Sequence, residues 1–195
     1  MANVSRPFGF RPVRHTNGAP FNGQVERYAV GTSDGTAMAV GDFVALAGGA
    51  DADGVPLVKR HQVATAGPIL GAIVGFSPDP TALQNSGYRP ASTQRYVLVA
   101  NANDVIYEAC ADAGLTVTTA VAKNAKINTT AVTTSAPYGV SNMQVDATST
   151  ATTSTLPLRI VGISPAPVND LTDSTNLKVL VMVNQYALAN NVAGV

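Results

Sequence analysis

At 195 residues with 46% apolar side chains, the chain can bury one full core, alone or with attached arms, and two small domains are also within reach. Only 12% of residues are charged, and 12 Lys and Arg balance 12 Asp and Glu to a net charge of zero. Such a surface relies on Thr, Ser, Asn and Gly for solubility and favours association, which points away from a free monomer and towards work inside an assembly.

Residues 1–23 contain Arg6, Arg11 and Arg14 and no acid, interleaved with Phe8, Phe10 and Phe21 and broken by Pro7, Pro12 and Pro20. These prolines and the intervening glycines forbid a helix, so an extended arm is expected that is ordered only against another surface. Its three aromatics are more than a solvated tail carries. The six Arg and Phe residues are therefore the expected partner contacts, and residues 24–195 the single β domain.

Short strands separated by glycines follow at Val25–Val30, Gly41–Leu46 and Leu57–Val63, with Gly48–Gly54 as a hairpin loop. Ile73-Val74-Gly75-Phe76-Ser77-Pro78-Asp79-Pro80 then returns at six of eight positions as Ile160-Val161-Gly162-Ile163-Ser164-Pro165-Ala166-Pro167. Each copy precedes a turn-rich gap and a second apolar strand, Val97–Val99 or Val179–Val183. The Gly in each β-branched run marks a bulge or a close backbone approach, and Ser-Pro-x-Pro stops the ladder because neither Pro donates a hydrogen bond. The echo reads as two similar hairpins across one barrel or sandwich, with coincidence in a Val-rich chain as the alternative. Both glycines are expected in buried runs where an added side chain overpacks.

Tyr96–Cys110 reads as a complete hairpin about the turn Ala100–Asp104. Residues 115–155 hold 12 of the chain's 20 threonines and read either as strands or as a Thr-rich linker or long loops. Lys178 is the last charge, and Val179–Val195 is a strand with a neutral tail. The fold class expected is all-β, a β-barrel or jelly-roll-like sandwich with an extended N-terminal arm.

Motifs for chemistry are missing. The histidines, His15 and His61, sit in no nucleophile motif, and no phosphate loop, dinucleotide fingerprint or zinc-protease signature occurs. Nothing in the spacing selects a carboxylate pair, and Trp is absent. Asp51 and Asp53 lack the further oxygen ligands of a calcium loop. Cys110 alone supports neither a disulfide framework nor a multi-cysteine zinc site and reads as a small buried apolar residue. Outside the arm the basic residues are scattered, so a nucleic-acid partner is not expected. No apolar run approaches the roughly 20 residues that span a bilayer, and Met1–His15 lacks a signal-peptide core, so cytosolic synthesis without a membrane partner is expected. The expectation is a protein that is not an enzyme and takes no cofactor or metal.

The stretch Gly9-Phe10-Arg11-Pro12-Val13-Arg14-His15-Thr16-Asn17-Gly18-Ala19-Pro20-Phe21-Asn22-Gly23 resembles the opening of small structural proteins of tailed bacteriophages. Leu158-Arg159-Ile160-Val161-Gly162 and Lys178-Val179-Leu180-Val181 are similar to their closing strands, and the Tyr96–Glu108 segment shares the likeness. The family is that of capsid decoration, or cement, proteins. The resemblance implies a homo-oligomer, a trimer in preference to a dimer, on the exterior of a virion head, with the major capsid protein as partner. Pro167-Val168-Asn169-Asp170 carries fewer acids than the family pattern. The alternatives are a tail or head-fibre component and a carbohydrate-binding β-sandwich module.

Overall fold

The computed structural model describes residues 3–62, 67–80, 83, 87–129 and 139–189, and the protein is mainly β. Its elements are β1 (Arg11–His15), β2 (Glu26–Val30), β3 (Met38–Ala39), β4 (Phe43–Ala50), β5 (Pro56–Arg60), β6 (Gly71–Phe76), β7 (Tyr88–Arg89), β8 (Arg95–Asn101), β9 (Val105–Cys110), α1 (Val117–Ala120), β10 (Asn124–Thr129), β11 (Met143–Ala151), β12 (Leu158–Ile163) and β13 (Lys178–Val183).

Five strands close a first barrel in the order β2-β5-β4-β6-β8. Its ladders are antiparallel except at the closure, where Ala29 of β2 meets Leu57 of β5 in parallel. Alternation along β8 turns Val97 and Val99 into the core beside Val44, Val58 and Ile73, while Tyr96 and Leu98 stay half-exposed. A six-stranded sheet follows, β1-β9-β13-β12-β10-β11. Leaving β1 aside, it curls until the end of β9 reaches β11: Ala111 bridges Val145 in parallel, and the Asp112 N–H donates to the Val145 carbonyl at 3.0 Å.

The two halves are one design used twice, with β2, β4, β5, β6 and β8 answered by β9, β10, β11, β12 and β13 in the same neighbour order. Both β6 and β12 carry a bulge at the same place, between Ile73 and Gly75 and between Ile160 and Gly162. The Gly41 N–H donates to the Ile73 carbonyl at 2.8 Å, and Ala122 does the same to Ile160 at 2.8 Å. Ile73 returns a bond to the Asp42 carbonyl at 2.9 Å, as Ile160 does to Lys123 at 2.9 Å. Gly41 and Ala122 share a left-handed backbone, φ 92° and 69°, which costs the alanine more than the glycine. Each Ser-Pro corner ends its ladder on one last bond, Ser77 N–H to Tyr96 at 3.0 Å and Ser164 N–H to Lys178 at 2.9 Å. The following Pro cannot extend it. The echo is thus a bulged hairpin in each of two barrels rather than two hairpins across one.

Two expectations change, and one open alternative closes. Tyr96–Cys110 is not a hairpin, because β8 pairs with β6 and β2 while β9 pairs with β13 and β1. Each strand's apolar face is taken by a different core, and the turn Ala102–Asp104 carries the chain between barrels. Nor does the expected arm of residues 1–23 stand apart over its described part, residues 3–23, since β1 is a strand of the second sheet. Within the Thr-rich stretch, residues 115–129 and 139–155 contain α1, β10 and β11 rather than a linker; residues 130–138 lie outside the described residues.

The bulge glycines also differ from expectation. Gly75 and Gly162 are half-buried, and a Cβ on either meets only the Cδ1 of Leu98 or Leu180, at 3.9 and 4.0 Å. The crowded glycine of β6 is Gly71, where a Cβ falls 2.0 Å from the Ala100 carbonyl oxygen. Urea titration is expected to place Gly75→Ala and Gly162→Ala within about 1 kcal/mol of the parent. Gly71→Ala loses about 3 kcal/mol or fails to fold.

Candidate contact surface of the N-terminal strap

Residues 3–23 form a strap held by the chain's own second barrel. Asn3 anchors its start: the amide N–H donates to Asp173 Oδ2 at 2.8 Å, and Nδ2 donates to the Asp170 and Asp173 carbonyls, each at 3.0 Å. Hydrogen bonds from the Thr175 hydroxyl and amide, and then from the Asn3 amide, hold the Asp173 carboxyl below the usual carboxylate range.

Further along, Gly9 has φ 73° and lies against the first barrel so closely that a Cβ would fall 2.3 Å from the Gly41 carbonyl oxygen. That approach lets the Phe10 N–H donate to Gly41 at 2.8 Å. The Phe10 ring, wholly buried, stacks on Phe43 of the first barrel at 4.1 Å. Phe43 in turn meets Tyr107 of the second barrel edge-on at 5.0 Å. The strap then runs beside β9, Arg11 opposite Glu108 and His15 opposite Val105, with an irregularity between Pro12 and Arg14. Pro12 is tolerated because β1 is an edge strand. The chain turns at Gly18, φ 90°, and Phe21 returns a bond to the Val13 carbonyl at 3.1 Å.

Arg11 pairs with Glu108, a carboxylate only 4% exposed that also accepts the Ser164 hydroxyl. Its guanidinium carbon lies 5.5 Å from the centre of the Phe8 ring, so the cation that pairs with the buried acid also rests on an aromatic ring.

Of the six residues expected to contact a partner, Phe8, Phe10, Arg11 and Phe21 meet around one cleft of about 300 Å³, closed by Pro12, Val40, Gly41, Ile73 and Val74. Arg14 is exposed on the edge strand, and Arg6 lines a separate cleft. Phe10 is no partner contact, since its ring is spent inside the molecule, and Phe21 packs partly on the same core. The second cleft, about 830 Å³, is formed by Asn3, Val4, Arg6, residues 167–172, Asn176 and Lys178. Around it stand three of the most exposed aliphatic side chains, Val4 at 68%, Val168 at 73% and Leu171 at 57%. The sequence reading missed Val4, Val168, Leu171 and Lys178; the available signal was a pair of aliphatics, Val168 and Leu171, set among turn residues without strand alternation.

His15, Cys110 and the Asp51–Asp53 pair make local contacts within the chain. His15 Nδ1 contacts Asp104 Oδ2 at 3.0 Å, beside the turn between barrels. Cys110 is buried, its thiol pushed up by desolvation and placed 3.4 Å from the Arg6 carbonyl. Asp51 and Asp53 accept the Tyr96 hydroxyl at 2.9 and 3.2 Å across the β4–β5 turn. Among the described residues no group of three His, Cys, Asp or Glu side chains could hold a metal ion. No protein-family model matches the chain, and neither does any curated protein or solved structure.

Two measurements test this geometry. Phe10→Ala is expected to cost about 3 to 5 kcal/mol in urea titrations, because it empties the stack between barrels, and deletion of residues 1–21 to cost more. Burial lowers the His61 pKa from 6.5 to about 4, so between those values the unfolded chain binds a proton that the folded chain does not. Stability therefore falls with pH from 6.5 to about 4, by about 3 kcal/mol in full, and His61→Gln is expected to flatten that limb of a stability–pH curve.

Proposed function

We propose that the chain is a non-enzymatic virion structural protein that binds the outer surface of a phage head and clamps major capsid protein subunits. The observation that carries this reading is the exposed aliphatic cluster of Val4, Val168 and Leu171 around a wide cleft at the strap's anchored end. Apolar side chains gathered in this way, on a surface with so few charges, mark a contact with another protein. The near-neutral composition and the resemblance of both chain ends to decoration proteins support it further.

The mechanism differs from an arm ordered by the capsid. The strap is ordered by its own chain and fixes the two barrels to each other, so the clamp is a rigid two-barrel body that spans a seam between capsid subunits. Its contact surface lies at the end where Asn3 enters. Self-association, as a trimer in preference to a dimer, places several such bodies around one junction and multiplies weak contacts into firm attachment.

Purified empty heads provide the test. Mixed with the protein and sedimented through sucrose, they are expected to carry it in copy numbers close to that of the capsid protein. Failure to co-sediment overturns the reading, whereas saturation at a handful of copies per particle assigns the protein to a tail or head fibre.

A further inference from the structure

The cleft beside the strap's start combines four features that select a class of ligand. Its walls are apolar, with Val4, Pro167, Val168 and Leu171, and its volume of about 830 Å³ suits a short peptide segment. Two cations, Arg6 and Lys178, stand on it, and neither has a carboxylate partner among the described residues.

The acid on the cleft is already engaged. Asp170 Oδ1 accepts the Thr172 amide at 2.9 Å and its hydroxyl at 2.7 Å, and the Asp170 amide donates to Asn3 Oδ1 at 2.9 Å. Asp170 stays ionised, and against its one negative charge Arg6 and Lys178 leave the lining net positive by one.

The walls are also fixed in advance. Asn169 Nδ2 donates to the carbonyls of Ser164 and Lys178, both at 2.9 Å, and its Oδ1 accepts the Lys178 amide at 2.9 Å. A segment that enters does not have to order the loop, which lowers the cost of binding.

The internal duplication supplies the fourth feature. Lys178 of the second barrel stands where Tyr96 stands in the first, each accepting the last bond of its Ser-Pro corner. At Tyr96 the chain's own acidic turn covers the outer face, with Asp51 and Asp53 on the tyrosine hydroxyl at 2.9 and 3.2 Å and the Arg27 guanidinium 4.6 Å above the ring. In the second barrel the acid that lines the cleft with Lys178 is Asp170, and among the described residues no carboxylate forms an ion pair with Lys178.

We propose that this cleft is the docking site for an extended segment of a partner protein that carries apolar side chains beside carboxylates. The inference rests on the capsid-binding reading and names the part of the capsid surface that is recognised. Apolar side chains of that segment fill the space between Val4, Val168 and Leu171, and its carboxylates meet Arg6 and Lys178.

The chemistry is testable without a capsid. The apolar anion 8-anilinonaphthalene-1-sulfonate is expected to fluoresce on the full-length protein. Its apparent affinity falls about tenfold in Arg6→Glu/Lys178→Glu and in Val168→Ser/Leu171→Ser, but not in Lys59→Glu, which lies on another cleft. All substituted residues but Lys178 are exposed, and circular dichroism melts verify folding; Lys178→Gln serves if the double variant melts early. Equal dye affinity in parent and cleft variants overturns the proposal. Head binding then separates the two claims. If the parent decorates empty heads and the folded cleft variants do so equally well, the cleft is not the contact and the capsid reading stands. If the parent itself does not bind heads, the capsid reading falls and takes the proposed partner with it. Loss of decoration in the cleft variants alone, with binding that weakens as salt rises, bears out both.

Discussion

Three aromatic rings hold this molecule together. Phe10 of the strap, Phe43 of the first barrel and Tyr107 of the second form one stack, buried almost completely and drawn from three distant parts of the chain. Each ring brings a large apolar area to one point, so strap and barrels share a core instead of meeting at a polar interface. The Tyr107 hydroxyl donates to the Ala100 carbonyl at 2.8 Å, which satisfies the one polar atom that the stack buries. Everything at the strap's outer end depends on this junction, because the cleft between Val4 and Lys178 keeps its shape only while the strap stays seated.

The duplicated barrels show how a repeated backbone diverges in use. The hydrogen bonds around Ile73 and Ile160 are the same, yet Asp42 of the first copy is replaced by Lys123 in the second. Asp42 is wholly buried and accepts from Ala39, Ser141 and Arg60, so it ties its own barrel to a residue of the other. Buried Arg89 donates to the carbonyls of Gly31, Asp34, Thr36 and Thr93 and pins the long connection between β2 and β4. Such multiply bonded groups fix one arrangement among many, which matters in a protein whose cores hold many interchangeable Val, Ile and Ala side chains.

The sequence made the β class legible, along with the twin bulges and their Pro corners, because Gly in a β-branched run and Pro after a strand act locally. It concealed the second use of the design. Outside the echoed eight residues and the Val-Leu-Val that β8 and β13 share, matching positions such as Phe43 against Asn124 and Tyr96 against Lys178 hold unlike side chains, and backbone pairing is what relates them. The Tyr96–Cys110 segment misled because neighbouring strands commonly pair, and no local signal shows that a turn joins two sheets. In the strap, prolines and glycines correctly ruled out a helix but were silent on whether Phe10 faces a partner or its own core. Val168 and Leu171 lie in irregular backbone, where periodicity has nothing to report.

The strap also sets an order of events during synthesis. Its β1 leaves the ribosome before either barrel, but the edge it joins belongs to β9, and β9 is itself steadied by β13, which follows every other strand described. The first barrel is complete once β8 has emerged and needs nothing that follows to close its ladders. Through all that interval Phe10 and Phe21 have no finished site to occupy. A nascent chain of this protein thus carries an open aromatic segment ahead of a folded barrel, and a strap made before both barrels is among the last elements to be placed.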